Sequence, residues 1–338
     1  MPKNPIARTL IALALLLPMQ VVFADAANNA ALRYWRGLSM MSPELEETIK
    51  QVRKGGLLAE AAWAPNEGPI GSLDQSQIDG IVREFLKGAA LPECDFGPDW
   101  DEGIEMLIPH LGGMRTGVVL LLIDGRSKLA QGDSAAAADR FAAAYAIAAH
   151  SANDRILVSS LVSAHMVSLA NETVLQPGVL EELRPADRKT IALATWKFGA
   201  DDPFLLRAAI ANEGAMMDRW LREQFADPMS ESELKALLGT LFDPTDDFEP
   251  LMAVINDPDE FEASLVRLRL FYTEVDAAWE AEDADERLER IESEFRKDTD
   301  ENRFGILAEF FAPAIARTRI NERKAVESLE RARSLLGA

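Results

Sequence analysis

The stretch 115–152, RTGVVLLLIDGRSKLAQGDSAAAADRFAAAYAIAAHSA, places the tightest constraint on what this chain can fold into. Two helical patterns meet at Gly132-Asp133. The first, about 114–130, is mostly apolar. The second, about 134–150, sets Ala137, Phe141, Ala144 and Ala148 at steps of four, three and four, which puts them on one face of an α-helix. A turn this tight returns the second helix antiparallel to the first, as a hairpin. An isolated hairpin cannot bury both its apolar faces, so further helices must pack around it.

Helix punctuation recurs along the rest of the chain. Ser42-Pro43 reads as a capping serine followed by proline at the first helical position, and Gly55-Gly56 closes that helix after 54. Helices are expected over 26–41, over about 77–87 with Ile78, Ile81, Val82 and Phe85 inward, and over 154–169 with Val158, Leu161, Val162, His165 and Leu169 on one face. Pro177-Gly178 interrupts a pattern over 174–183. Pro185 opens a helix over 186–198, and Pro203 starts a long one over 204–225. Ser230 with Glu233 forms a capping box for 231–241.

A helix over 259–278 carries Val266, Leu270, Thr273 and Ala277 at helical spacing. Between 274 and 301 stand 13 acidic and 4 basic residues, the mark of a solvated face, with Leu288, Ile291 and Phe295 on the buried side. The patterns over 304–318 and 322–336 read as a second hairpin around Ile320-Asn321, with Pro313 kinking or splitting the first of them. No segment sustains the alternation of a strand. The expected fold class is all-α, with about 12 to 15 helices in an irregular stack of antiparallel hairpins, either a degenerate solenoid or a helical bundle.

The first 24 residues read as a leader rather than as part of the fold. Lys3 and Arg8 precede an apolar stretch from Leu10 to Phe23, and Val22-Phe23-Ala24 sets small residues for a cut before Asp25. An uncleaved anchor is the alternative, but the run falls short of the roughly 20 residues of a span and is interrupted by Pro18 and Gln20. The expected product is periplasmic or extracellular, with no transmembrane segment after cleavage. Cys94 is the single cysteine, so no internal disulfide supports it. With 56 acidic against 35 basic residues, net −21, the chain is ill suited to nucleic acid or to an anionic membrane.

Candidate chemistry is sparse. His110, His150 and His165 fit no metal-binding spacing, and neither HExxH nor CxxC occurs, so no metal or cofactor is expected. Cys94 with His110 suggests a thiol–base pair, although Glu93 and Asp95 beside the cysteine disfavour a thiolate. Asp95, Asp99, Asp101 and Glu102 cluster before His110 and share their loop with Phe96 and Trp100. That group suits acid–base work, cation binding or helix capping. Met216, Met217 and Trp220 accompany Glu213, Asp218 and Glu223, a stripe that reads as core filling. Arg115, Arg126 and Arg140 either recognise an acidic group from the hairpin's polar side or simply solubilise it.

The hairpin resembles a tetratricopeptide repeat, a helix–turn–helix unit of about 34 residues. Gly125 stands at that family's small position in the first helix, Ala137, Phe141 and Ala144 match the alanine–aromatic–alanine pattern of the second, and Gly132-Asp133 lies at its turn. Leu121, Lys128 and Ala149 depart from its tryptophan, tyrosine and proline positions, and no second copy follows at that period. A wider resemblance rests on Ala31-Leu32-Arg33-Tyr34-Trp35, Cys94-Asp95-Phe96-Gly97, Leu107-Ile108-Pro109-His110-Leu111 and the LLLIDGRSKLAQGD run. These are similar to elements of a group of exported helical proteins of planctomycete-type bacteria. The resemblance implies export and helicity and carries no reaction.

The chain therefore divides into a leader (1–24), an N-terminal helical unit with the hairpin (25–199) and a C-terminal helical unit packed on it (200–338). Repeat-like helices without a catalytic motif point to an exported scaffold that binds a protein or peptide. An enzyme with a site among Cys94, Asp95, Asp101 and His110 is the alternative, and a structural envelope protein the third.

Overall fold

A computed structural model of the chain describes residues 28–56, 75–239, 248–295, 297 and 302–337. The expected leader and its cut before Asp25 lie outside them. Among the described residues the backbone is all-helical, with fifteen α-helices and one 3₁₀ segment, Trp100–Glu105. The N-terminal half holds α1 (Ala30–Ser39), α2 (Pro43–Lys54), α3 (Gln75–Ala89), α4 (His110–Ala130), α5 (Ser134–Ala152), α6 (Leu157–Val174), α7 (Pro177–Glu182) and α8 (Pro185–Thr195). Then come α9 (Leu206–Gln224), α10 (Glu231–Leu238), α11 (Glu249–Ile255), α12 (Pro258–Trp279), α13 (Ala284–Phe295), α14 (Gly305–Phe311) and α15 (Ile315–Leu336).

The hairpin α4–α5 is the central element. Gly132 takes a left-handed φ of 80°, and the Asp133 carboxylate accepts from the Ala136 N–H at 3.0 Å to start α5. Ala137, Phe141 and Ala144 are fully buried. A Cβ built on Gly125 would sit 2.6 Å from Phe141 Cε1, so the glycine is what lets the ring lie against α4. α4 is buried nearly all round, from Met114 to Gly125, because α1, α2, α3, α5 and α6 all pack on it.

Local caps follow the sequence. Ser42 Oγ accepts from the Leu45 N–H at 3.2 Å, and Ser230 and Glu233 cap α10 reciprocally. Other features depart from what local pattern suggests. Pro177 does not interrupt a helix; α6 ends at Val174 and the proline takes the first position of α7. Pro203 does not start α9. That helix begins at Leu206, after Leu205 in the left-handed region, and Asp202 Oδ1 accepts from the Leu206 N–H at 2.8 Å.

Two helices bury a different face from the one their aliphatic spacing marks. On α6, Val158 and His165 are exposed, while Ser159, Ser160, Ser163, Met166, Val167, Ala170 and Asn171 face inward. Three of the polar groups there have partners: Ser159 Oγ donates to Asp154 Oδ2 at 3.0 Å, Ser163 Oγ to the Ala148 carbonyl at 2.6 Å, and Asn171 Nδ2 to Ser328 Oγ at 2.8 Å, whereas Ser160 Oγ meets none among the described residues. On α12, Phe261, Leu265, Leu268, Phe271 and Val275 are buried, and Val266, Leu270, Thr273 and Ala277 are exposed. There is also no hairpin around Ile320-Asn321. Pro313, without an N–H, separates α14 from α15, and α15 runs unbroken through Asn321, which is exposed.

Two apolar cores result. One gathers Ala30 to Phe204, and the other Leu206 to Ala316. α15 takes part in both, with Ile315 and Ala316 in the second core and Ala325, Leu329, Ala332 and Leu336 in the first. Arg333, near its end, donates to the carbonyls of Thr195 and Phe198 at 2.8 and 3.0 Å and lies 4.4 Å over the Trp196 ring.

Candidate functional site

The loop before α4 is stitched to the start of α1. The Ala30 N–H donates to the Glu93 carbonyl at 2.8 Å. The Asn29 side chain exchanges two bonds with the Asp95 backbone, at 2.8 and 3.0 Å. Asp95 Oδ1 then accepts from the Gly97 N–H, and Asp99 Oδ1 from the Asp101 N–H, each an Asx-type turn. Beyond it, the 3₁₀ segment docks on α9. Gly103 has φ 58° and lies so close to Trp220 that a Cβ would fall 2.1 Å from the indole Cδ1. Arg219 of α9 donates to the Trp100 carbonyl at 2.7 Å and pairs with Asp101 at 3.2 Å.

This docking leaves an open cleft of 760 Å³ where the loop, the α5–α6 turn and α9 face each other. Cys94, Asp95, Trp100, Asp154, Asn212 and Arg219 are among its walls. Glu93, Asp95, Arg155 and Arg219 bring charges of both signs to its walls, with Met216 and Trp100 as apolar surface. Arg155 itself has a positive φ of 53°, in the turn that leads into α6.

The four candidate residues have separate roles. Cys94 is buried, and desolvation pushes its thiol well up, with the charges of Asp154 and Asp95 adding to the effect. A thiol held protonated is a poor nucleophile. Asp95 lines the cleft, while Asp101 is largely exposed and held by Arg219. His110 does not line it. Its ring is buried, bonded through Nε2 to Asp154 Oδ2 at 2.8 Å, and stacked on Phe96 with centroids 3.8 Å apart at 6°. Trp35 stands edge-on to both rings. Ser159 Oγ donates to the same Asp154 oxygen at 3.0 Å.

Asp154 is thus the centre of a polar knot that fixes the start of α4 to the start of α6. Asp154 and Arg219 carry no spacing signal, since they lie far along the chain from the loop they meet. Asp154 was legible only as a polar residue at a helix start, and Arg219 only as one charge among several on α9. Met217 and Trp220 of the methionine stripe belong to the second core, while Met216, at its border, reaches the cleft wall. His150 is buried and meets Tyr34 Oη through Nδ1 at 2.7 Å; burial, and then Lys197, push it down to about 4. Among the described residues no three His, Cys, Asp or Glu side chains come together as a metal-binding set. Chemically the cleft can offer hydrogen bonds and both signs of charge to a bound chain.

No protein-family model matches the chain, and no curated protein or solved structure matches it. The fold and the cleft define an all-α protein built on two joined cores.

Proposed function

We propose that this is an exported helical scaffold whose cleft beside Cys94 binds a peptide or a segment of a partner protein. One observation carries the reading: an open cleft has acidic and basic side chains in its wall together with a tryptophan and a methionine. A peptide backbone and side chains of both charges find partners in such a wall, and Trp and Arg are the residue types that dominate binding energies. The leader-like start of the sequence and the resemblance to exported helical proteins of planctomycete-type bacteria support export. No helix among the described residues is long and apolar enough to cross a membrane. Stacked helices around a repeat-like hairpin are a common support for such a surface.

The test is selection from a displayed random-peptide library on the purified chain, followed by calorimetry with selected peptides. Tenfold or greater loss of affinity in both R219A and W100A is the expected result. Selected peptides that bind both variants as tightly as the parent, or failure to select any, would remove the proposal.

A further inference from the structure

Three helices border a groove of 460 Å³ at the edge of the first core. α3 and α8 both pack against α5, and one face of α5 lies open between them. That face carries Ala142, Ala143 and Ala146, which share one side of the helix and leave room above its backbone. Leu86 and Ala89 of α3 form one bank. Leu193 of α8 stands on the other and is 62% exposed, and Trp196, just past α8, is 57% exposed. An apolar ridge beside an apolar hollow leaves both surfaces in water, the mark of an interaction face.

The groove has a direction. Ser134 Oγ, at the start of α5, donates to Asp187 Oδ2 in the first turn of α8 at 2.6 Å, and later turns of both helices line the groove, so the two run the same way. Asp139 follows Ser134 by little more than one turn, whereas Lys197 lies past the end of α8. The acid and the base therefore stand toward opposite ends. Both are exposed, and neither side chain has an ion pair or hydrogen bond among the described residues. The surroundings suit an acidic protein: α3, α5, α8 and Lys197 together carry four acidic residues against six Lys and Arg, in a chain with 56 against 35.

We propose that this groove is the contact face of a symmetric dimer of the chain. A two-fold axis perpendicular to α8 sets the α8 helices of the two copies antiparallel. The Leu193 ridge of each copy then enters the alanine-floored groove of the other, as ridges enter grooves wherever helices pack. The same rotation reverses the direction of the groove, so that Lys197 of each copy faces the partner's Asp139. A second copy supplies the apolar ridge and both charges in the order the groove requires, and its net charge of −21 meets a locally basic surface. None of these residues lines the cleft beside Cys94, so the dimer stands or falls independently of the peptide reading.

The test is analytical ultracentrifugation of the whole purified protein over a concentration series from about 1 to 200 μM at near-physiological salt. The parent is expected to pass from monomer to dimer across the series. L193E, a change at an exposed position that leaves the fold intact by circular dichroism, is expected to remain a monomer. K197D and D139K are each expected to raise the dimer dissociation constant about tenfold or more, because each sets like charges opposite one another. An equimolar mixture of those two variants is expected to recover the parent's association, since a chain with two acids and a chain with two bases re-form both pairs only across the contact. A parent that stays monomeric throughout, which would leave the groove to a different partner, overturns the proposal. So does an L193E that dimerises like the parent, or a mixture no stronger than its components.

Discussion

Replacing Glu213 by glutamine tests the energetics of the contact between the two cores. Glu213 sits on α9, and its Oε1 accepts from the Leu157 N–H, the first of α6, at 2.6 Å. It is partly buried, and burial pushes its carboxyl up to about 7 against the pull of the Leu157 N–H. In the unfolded chain it titrates near 4.5. Since the folded value is the higher one, folding favours the protonated form. The contribution of Glu213 to stability is fully present below about 4.5, declines as pH rises, and is gone above about 7. At roughly 1.4 kcal/mol per unit that difference sets a ceiling of about 3 kcal/mol, and water at its exposed edge lowers it towards 2.

Glutamine keeps an oxygen for the Leu157 N–H and cannot ionise. E213Q is therefore expected to match the parent at pH 4 and to exceed its stability by about 2 kcal/mol at pH 8, a rise of several degrees in melting temperature. Thermal unfolding followed by circular dichroism at pH 4, 6 and 8 measures this, and the difference between the two proteins cancels the other carboxylates. A difference independent of pH, or a less stable E213Q at pH 8, would refute the reasoning.

Three further outcomes follow from the packing and the site. F141A empties the space against Gly125 at the centre of the hairpin and should cost roughly 3 to 5 kcal/mol in urea unfolding; a loss below about 1 would show that the ring is not a keystone. D154N weakens the bonds from His110 and Ser159 and should destabilise by about 1.5 to 3 kcal/mol, read the same way, with an unchanged midpoint contradicting the knot. Cys94 should react with iodoacetamide at pH 8 far more slowly in the folded protein than in urea, and equal rates would contradict its burial and raised pKa.

Features resting on a few consecutive residues were legible in the sequence. The Ser42 and Ser230 caps, the Gly132-Asp133 turn and the hairpin contact of Gly125 with Phe141 all depend on neighbours within one turn or one hairpin. Of the candidate site, the loop 94–101 was visible as a dense acidic and aromatic stretch, but its opposite wall was not. Arg219 and Asp154 acquire meaning only when α9 and the α5–α6 turn come to face that loop. His110, placed beside Cys94 by sequence proximity, is turned instead into a stack with Phe96 and a bond to Asp154.

By itself the sequence determined that the chain is helical, where its capped helices begin, and that Gly125 and Phe141 pack in one hairpin, because these depend on local hydrogen bonds and side-chain spacing. Only the tertiary structure decided which faces are buried and which charges are paired. α6 turns Ser163 and Asn171 inward, where the Ala148 carbonyl of α5 and Ser328 of α15 meet them, and Val158 and His165 on its other face are left outside. In the same way, Arg126 and Arg140 find partners, while Arg115 Nε meets none among the described residues. Those outcomes turn on groups distant in the chain, whose meeting no spacing along it records.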